Sequence, residues 1–537
     1  MSSLFTARLK NAFFQRWVHA VNNQRWNRLT AQVNLLYAQK KDQPPVLFFN
    51  ASTRLIGVSQ NAAYSYLSSL GLRTRGVPVI YFACRAGLQR CVLGSNRDHF
   101  GQLPPCQKCI QQSERLFTSS AVKWFEFEPD EALTFELEGL DVPELCQFSF
   151  KGQPLGYWAV NSLRWVFRRY NLREEGQTRS FLKSFILSAW NVYQQFDQLV
   201  TETNPQAVVV FNGMFFPEAA ARKVCLDRGV RVITHEVGIQ PFSAFFTSGE
   251  ATAYPMVIPP DFHLSDEMEE KLDDYLSHRF KGDFTMAGVR FWPELQKLDE
   301  SFIRKISKYK RIIPIFTNVI FDTSQVHANT IFSDMFQWME SIYQTVIDHP
   351  EVIFIVRAHP DESREGKSSR ESVADWMKNH GMGNLPNVEF VDSGEPLSSY
   401  DLIQRAHFVM VYNSTIGLEA SLLGKPVLAA GKARYTQIPT AFLPRSPQEY
   451  MKMLETFIIA DKINVPEDFR INARRFLYSQ LFQTSLQFGN FLSEDGVWRG
   501  YVTPKPFSTE SILPENSETM KIISEGILRG SEFLYLP

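Results

Sequence analysis

The feature that most constrains the fold is a pair of short apolar runs in the second half of the chain. Residues 352–356 are largely β-branched and show no polar alternation, and a second run covers 407–411. Such runs are typical of parallel strands that are buried on both faces. They therefore predict an α/β fold with helices on both sides of the sheet.

Polar residues follow both runs, at the strand ends where open α/β sheets bind ligands. Pro360 forces the chain out of the sheet, which leaves His359 at the carboxyl end of the first strand. After the second strand, residues 413–415 are expected to cap a helix over 416–423. Backbone amides at that helix start, together with two hydroxyl groups, predict an anion site. We expect two adjacent strand ends to hold the phosphate groups of a nucleotide.

These residues resemble the sugar-nucleotide half of GT-B glycosyltransferases, and in particular the bacterial capsule polysaccharide transferases, a group that includes Kdo transferases and sialyltransferases with a His-Pro motif. The resemblance covers residues 205–440 and depends on His-Pro, Asn-Ser-Thr-x-Gly-x-Glu-Ala and Gly-Lys-Pro-Val at this spacing. It implies that the His and the hydroxyl residues contact a donor nucleotide, and that the Glu lies near its ribose. The implied donor-binding residues are His359, Pro360, Arg357, Asn413, Ser414, Thr415 and Glu419, with Asn318 as a further contact.

The resemblance also implies a GT-B-like fold, with two Rossmann-like, doubly wound domains facing a cleft and C-terminal helices crossing back. We predict a basic amphipathic helix over 1–43, an acceptor domain over 44–300, a nucleotide-sugar donor domain over 301–440, and helices with a tail over 441–537. The alternative for the motif itself is structural: Asn413 and Ser414 would only cap a helix, and His359 would be a turn histidine.

A second candidate site lies in the first half of the chain. A buried strand over 207–211, an Asn-Gly turn, a helix over 217–227 and a strand over 230–234 place His235 and Glu236 just past a strand end. An inverting glycosyl transfer needs a base for the acceptor hydroxyl. Glu236 is the first choice for that base and His235 the second. The alternative is that Glu236 caps a turn or pairs with an arginine.

The resulting functional hypothesis is an inverting, metal-independent glycosyltransferase. It would move a sugar from a nucleotide-activated donor, for example a CMP-linked one, to a surface polysaccharide or a lipid-linked glycan. No Asp-x-Asp pair stands at a strand end to hold a metal-bound diphosphate. The alternatives are a CDP-glycerol-type glycerophosphotransferase, a nucleotide-sugar epimerase, and a noncatalytic scaffold in polysaccharide export.

Four of the six cysteines cluster with the spacing C-x6-C-x14-C-x2-C, in a loop over 84–109. Clustered thiols in a reducing compartment are more often metal ligands than disulfides. Four thiolates suit a closed structural zinc site, whereas an iron–sulfur cluster and ordinary buried side chains are the alternatives. The candidate ligands are Cys84, Cys91, Cys106 and Cys109.

Charge and hydropathy argue against a nucleic-acid-binding protein and against a membrane-spanning one. The 56 basic and 57 acidic residues nearly balance, and no basic tract indicates nucleic acid binding. No apolar run is long enough to span a bilayer, so we expect a cytoplasmic protein. Residues 1–41 carry seven Lys and Arg and no Asp or Glu. This predicted helix could lie on the anionic inner face of the membrane, or dock on the protein body or another subunit.

Overall fold

The computed structural model describes residues 2–40, 42–51, 57–280, 297–364 and 368–536, with side chains from residue 13 onward. The chain divides into two compact units. Unit 1 comprises Met1–Val166, Leu172–Tyr254 and Phe482–Pro537, and unit 2 comprises Phe167–Asn171 and Pro255–Leu481. Each unit is built on a largely parallel sheet, which confirms the predicted α/β class.

The strands are β1 (Val46–Asn50), β2 (Val79–Cys84), β3 (Ala121–Phe125), β4 (Ala207–Phe211), β5 (Val232–Val237), β6 (Ser243–Thr247), β7 (Arg311–Phe316), β8 (Val352–Arg357), β9 (Val388–Val391), β10 (Val409–Val411), β11 (Val427–Ala429), β12 (Leu486–Gln487), β13 (Leu492–Glu494) and β14 (Val502–Pro504).

The helices are α1 (Ser2–Leu36), α2 (Gln60–Thr74), α3 (Cys106–Leu116), α4 (Glu131–Glu136), α5 (Val142–Gln147), α6 (Leu155–Phe167), α7 (Gly176–Thr203), α8 (Phe216–Asp227), α9 (Asp266–Phe280), α10 (Glu300–Ile306), α11 (Gln325–Ala328), α12 (Met335–Ser341), α13 (Tyr343–Asp348), α14 (Val373–Asn379), α15 (Ser399–Arg405), α16 (Ile416–Leu422), α17 (Pro447–Ile459), α18 (Glu467–Tyr478) and α19 (Glu518–Arg529).

Unit 1 has a seven-stranded sheet in the order β12-β6-β5-β4-β1-β2-β3. Strands β1 to β5 pair in parallel, whereas β6 and β12 extend the sheet in antiparallel fashion. The chain winds outward from β1 to β3 and then resumes on the other side of β1 with β4. The switch point of this sheet, where ligands bind in doubly wound folds, therefore lies between β1 and β4.

The core of unit 1 joins the two ends of the chain. Side chains from β1, β2 and β4 pack together with Leu486, Phe488, Ile512 and Met520 from the C-terminal segment. Gly71 lies inside α2, and a Cβ at this position would sit 3.2 Å from the Met520 sulfur. This glycine therefore permits close packing and does not terminate the helix.

The N-terminal helix docks on unit 1 through its second half. Trp26, Leu29 and Val33 are buried in the core, whereas Phe13 and Trp17 are 73% and 56% exposed. The predicted apolar stripe is therefore solvent-facing over the part whose side chains are described. Docking on the protein body is observed for the second half, and membrane contact by the first half stays a prediction.

Unit 2 has a five-stranded parallel sheet in the order β11-β10-β7-β8-β9. All six residues of β8 are buried, as the apolar run predicts. The expectation that the strands before His359 and Asn413 are neighbours is wrong, because β7 lies between β8 and β10. The winding direction reverses between β7 and β10, which makes this the switch point of the second sheet.

The unit boundaries differ from those expected from the sequence. The chain enters unit 2 after Tyr254 rather than near residue 300, and α17 and α18 belong to unit 2. Only the segment from Phe482 onward returns to unit 1. In the described part of the chain, none of the helices combines the length and apolar character needed to cross a bilayer.

Candidate functional site

Two asparagines that are joined by a hydrogen bond lie at the switch point of unit 2. Asn318 follows β7 and Asn413 follows β10, and the Asn413 backbone N–H donates to Asn318 Oδ1 at 3.2 Å. The Asn413 side-chain oxygen accepts in turn from Gln325 Nε2 at 3.4 Å. These bonds fix the two strand ends relative to each other. The amide group of Asn318 has no acceptor for its Nδ2 among the described residues, so it can donate to a ligand.

The end of β8 is bound to the same edge of the sheet, and Arg357 helps to hold it there. Thr317 Oγ1, one residue past β7, donates to the Arg357 carbonyl at 3.0 Å. The Arg357 side chain is 3% exposed, and its guanidinium donates to the carbonyls of Asp392 and Glu395. Burial lowers the pKa of Arg357. The side chain therefore supports the strand end, and the predicted contact of Arg357 with a donor stays a prediction.

His359 is partly exposed at the carboxyl end of β8, as predicted. Its Nδ1 accepts from the backbone N–H of Asp361 at 3.1 Å, at the start of a short 3-10 turn over Pro360–Glu362. A ring nitrogen that accepts a hydrogen bond carries no proton, so in this arrangement the proton resides on Nε2. Nε2 is thus the donor atom of the His359 ring, and Pro360 fixes the turn that orients the ring.

The motif after β10 forms a shorter and differently capped helix than the sequence indicates. Helix α16 has seven residues, and Thr415 at its start makes no side-chain capping bond. The backbone amides of Ser414, Thr415 and Ile416 have no acceptor among the described residues. Predicted capping by hydroxyls is therefore wrong here. Three amide donors remain at the end of β10, beside Asn318.

Two other residues of the motif have internal partners. A Cβ on Gly417 would lie 2.1 Å from Tyr435 Oη, so glycine is needed for this close approach. Glu419 is 5% exposed and accepts from Arg279 Nε at 3.0 Å. Burial alone would lower the pKa of Arg279, but the charge of Glu419 raises it overall. The carboxylate of Glu419 thus forms a buried ion pair, and its predicted place near a ribose stays a prediction.

The motif residues that lie past these strand ends form what we call the strand-end cluster. Its members lie past the ends of three neighbouring strands, so His359 and the amides after β10 are separated by two strand spacings, roughly 10 Å. One ligand lying across the end of β7 would meet both. The strand-end cluster comprises His359, Asn318, Asn413, Ser414 and Thr415.

In unit 1, Glu236 lies beside the switch point, held by two side-chain amides. Asn212, which follows β4 with a left-handed φ of 61°, donates to Glu236 Oε1 at 2.5 Å. Asn61 at the start of α2 donates to Oε2 at 3.4 Å. The Asn-Gly turn after β4 thus orients a partly exposed carboxylate. The geometry is compatible with the predicted base, which stays a prediction.

His235 cannot be that base. Strand β5 continues to Val237, three residues beyond the predicted end, so His235 and Glu236 point to opposite faces of the sheet. His235 is fully buried against Phe211 and Phe246, and burial lowers its pKa to about 3. A base must exchange protons with a substrate, which this enclosed ring cannot do.

The sequence reading missed a second carboxylate next to Glu236. Glu218, in the first turn of α8, is 4% exposed; burial raises its pKa to about 8, and the negative charge of Glu236 adds to this effect. At neutral pH Glu218 is therefore mostly protonated. An acidic residue in a first helical turn usually faces solvent, so only the density of apolar residues around Phe215 and Phe216 could have indicated burial.

The four clustered cysteines line one small cavity at the edge of unit 1. It has a volume of about 20 Å³ and is otherwise lined mainly by apolar groups, including Ala51 and Leu88. None of the four cysteines is part of a disulfide. Burial raises the pKa of Cys91 to about 12, and it also raises the pKa values of Cys84 and Cys106, with the neighbouring thiols adding to each. Among the described residues, no group of three or more potential ligands already has the geometry of a metal site.

Comparisons with known proteins support the resemblance inferred from the motifs. Residues 268–438 match the family described as "Capsule polysaccharide biosynthesis protein". The chain is 25% identical over 232 residues to "Protein FixF" of Sinorhizobium fredii (strain NBRC 101917 / NGR234), a match that covers 42% of this chain and 49% of FixF. The match thus spans about half the length of that relative.

Two of the solved structures that align with this chain are a transferase and an epimerase. The Thermosulfurimonas dismutans KpsC beta Kdo 2,7 transferase aligns with a TM-score of 0.33 and 15% identity, over 59% of this chain and 86% of its own. The UDP-GlcNAc 2-epimerase from Neisseria meningitidis, bound to UDP-GlcNAc, aligns with a TM-score of 0.24 and 12% identity, over 81% and 98%.

Proposed function

We propose, from the premise that residues 268–438 belong to the capsule polysaccharide biosynthesis family, that the protein transfers a sugar from a nucleotide-activated donor to a surface polysaccharide or a lipid-linked glycan. The observation that carries the proposal is the strand-end cluster at the switch point of unit 2, within the matched segment. It collects neutral hydrogen-bond donors at the edge where doubly wound sheets bind nucleotides.

The chemistry follows from what these donors do for a phosphate leaving group. Departure of a nucleotide leaves negative charge on phosphate oxygens, and fixed N–H groups stabilise such charge without reorganising. His359 supplies Nε2–H, Asn318 supplies its amide group, and the three backbone amides at 414–416 supply further donors. Asn318 is held by the Asn413 backbone N–H and the His359 ring by its own turn, so both side chains are oriented before a sugar nucleotide binds.

The part of unit 1 in the reaction is a separate hypothesis. Glu236 would accept the proton of the acceptor hydroxyl, because its carboxylate is oriented by Asn212 and is partly exposed. The protonated neighbour Glu218 leaves Glu236 as the charged member of the pair, a division of roles that is common where two carboxyls lie close together.

The test is nucleotide binding followed by transfer. Wild-type protein is expected to show a thermal shift with one nucleotide from a panel of CMP, CDP, UDP and GDP, and to consume the corresponding sugar donor. His359→Ala should abolish transfer and leave the melting temperature nearly unchanged. His278→Ala, an exposed histidine on α9 in the same unit, is the matched control and should retain activity.

Three outcomes would contradict the proposal. Absence of binding to every nucleotide in the panel would favour a noncatalytic scaffold. Release of glycerol phosphate from CDP-glycerol, without any sugar transfer, would identify a glycerophosphotransferase. Conversion of a free nucleotide sugar to its epimer without an acceptor would identify an epimerase.

A further inference from the structure

The four-cysteine cavity of unit 1 is unrelated to the strand-end cluster and has a construction of its own. It lies at the carboxyl edge of the sheet, because Ala51 follows β1 and Cys84 ends β2. Cys91 comes from the loop after β2, and Cys106 and Cys109 come from the first turn of α3. Three separate pieces of chain thus bring their thiols to one small space.

Two of the thiols are cradled by backbone amides in the same way. The Gly87 N–H donates to Cys84 Sγ at 3.3 Å, and the Gly94 N–H donates to Cys91 Sγ at 3.4 Å. Both glycines stand three residues after a cysteine, so the sequence contains the turn C-x-x-G twice. Amide donors aimed at sulfur stabilise its anionic form, which is the form that binds metals. The repeated C-x-x-G pattern indicates that the two cysteines share the same turn, which the spacing between the cysteines does not indicate.

In these two turns, a side chain at Gly87 or Gly94 would collide with its surroundings. A Cβ on Gly87 would lie 2.2 Å from the Phe125 ring, and a Cβ on Gly94 would lie 3.0 Å from Pro104. Ala86, between the first cysteine and its glycine, has a left-handed φ of 55°. A non-glycine residue in that region costs free energy and is found most often at functional turns. The turn is thus held in a specific, unfavourable shape around the sulfur.

The remaining two thiols lie in the first turn of one helix. Cys106 begins the eleven-residue helix α3, and Cys109 follows three residues later, so both sulfurs reach the cavity from the same turn. The cavity of about 20 Å³ holds one atom of the size of a water molecule, which suits a single ion and not a cluster of several iron and sulfide atoms.

From this geometry we infer that Cys84, Cys91, Cys106 and Cys109 bind one Zn²⁺ ion in a closed tetrahedral site. Binding forms four Zn–S bonds, and the protons of the thiols pass to the solvent. The sulfurs share the cavity without yet surrounding one point at bonding distance, so the ion must draw the loop and the first turn of α3 inward. The ion would then fasten the loop after β2 to the sheet edge of unit 1.

The experiment measures metal content of the full chain, purified without chelators and without a metal-affinity tag. We expect one zinc per chain in the wild type by elemental analysis, and loss of that zinc in the Cys106→Ser/Cys109→Ser variant. Cys146→Ser is the matched control, because Cys146 is also half-buried but lies outside the cavity, and it should keep its zinc. Zinc content that is equal in all three proteins would overturn the inference.

A second measurement does not depend on whether the double variant folds. Wild-type protein that is depleted of zinc and reloaded with Co²⁺ should show the intense visible bands and the near-ultraviolet charge-transfer band of a tetrahedral tetrathiolate site. Stoichiometric iron with acid-labile sulfide, a Cys106–Cys109 disulfide in protein isolated under reducing conditions, or absence of any bound metal would each refute the zinc site. None of these results would bear on sugar transfer by unit 2.

Discussion

Replacing Glu218 with Gln should make unit 1 less sensitive to pH, because it removes an acid that burial keeps protonated. The pKa of Glu218 is raised from its ordinary value of 4.5 to about 8. Between these two pH values the folded protein holds a proton that the unfolded chain has lost. The folded state binds more protons, so wild-type stability falls as pH rises through this window. Gln has nearly the same shape and does not titrate.

The size of the effect follows from the shift. One pKa unit corresponds to about 1.4 kcal/mol, so the whole shift is equivalent to about 5 kcal/mol. Only part of this is lost between pH 5 and pH 7, because the folded-state carboxyl is still largely protonated at pH 7. Integration over that interval gives about 2–3 kcal/mol of lost wild-type stability relative to the variant.

The assay compares melting temperatures of the two proteins from pH 5 to pH 8 at constant ionic strength. A chain with two units need not unfold in one step, so the variant-minus-wild-type difference in the transition of unit 1 is the quantity of interest. At about 2 °C per kcal/mol, the difference should grow by about 5 °C in favour of the variant between pH 5 and pH 7. Glu136→Gln, an exposed change on α4 of the same unit, should give a constant difference.

Two results would refute this reasoning. A difference that is the same at every pH would show that Glu218 does not titrate in this range. A difference that shifts in favour of the wild type as pH rises would mean that the carboxylate is ionised and stabilised by a partner in the folded protein.

Three further predictions concern unit 2. Arg279→Met should lower its stability by about 3–5 kcal/mol in urea unfolding, since Glu419 would remain buried without its partner, and Arg279→Met combined with Glu419→Leu should recover most of the loss. Asn318→Ala should weaken nucleotide binding by calorimetry about 5-fold, the equivalent of one hydrogen bond, and should also lower the melting temperature, because the Asn413 N–H would lose its acceptor. Gly417→Ala should lower the melting temperature through collision with Tyr435 Oη, at a cost of about 1–3 kcal/mol, and adding Tyr435→Phe should relieve part of it.

The sequence was sufficient to predict individual strands and helices, because their signals lie within a few neighbouring residues. Strand β4 has the predicted bounds, and the helix after β10 ends within one residue of its expected position. Apolar runs and turn residues determine such elements through near neighbours. Placement of Asn318 and His359 at strand ends followed from the same signals.

Strand order and side-chain partners could not be obtained in this way. The position of β7 between β8 and β10 is set by pairing over about a hundred residues of chain, and no periodicity within one strand encodes it. Glu419 was assigned to a ligand because its actual partner, Arg279, lies 140 residues earlier. His235 was misplaced by three residues of unpredicted strand, which is enough to turn a side chain from the surface into the core.

The participation of the C-terminal segment in the core of unit 1 determines when that unit can fold during synthesis. Leu486, Phe488 and Met520 fill the same core as β1 and β4, and α19 packs against α2. While the ribosome is still translating the middle of the message, the nascent first half therefore has an incomplete core and an open β6 edge. All strands of unit 2 emerge before this segment does, so the part made second can be finished first, and nascent unit 1 would depend on chaperones until translation ends.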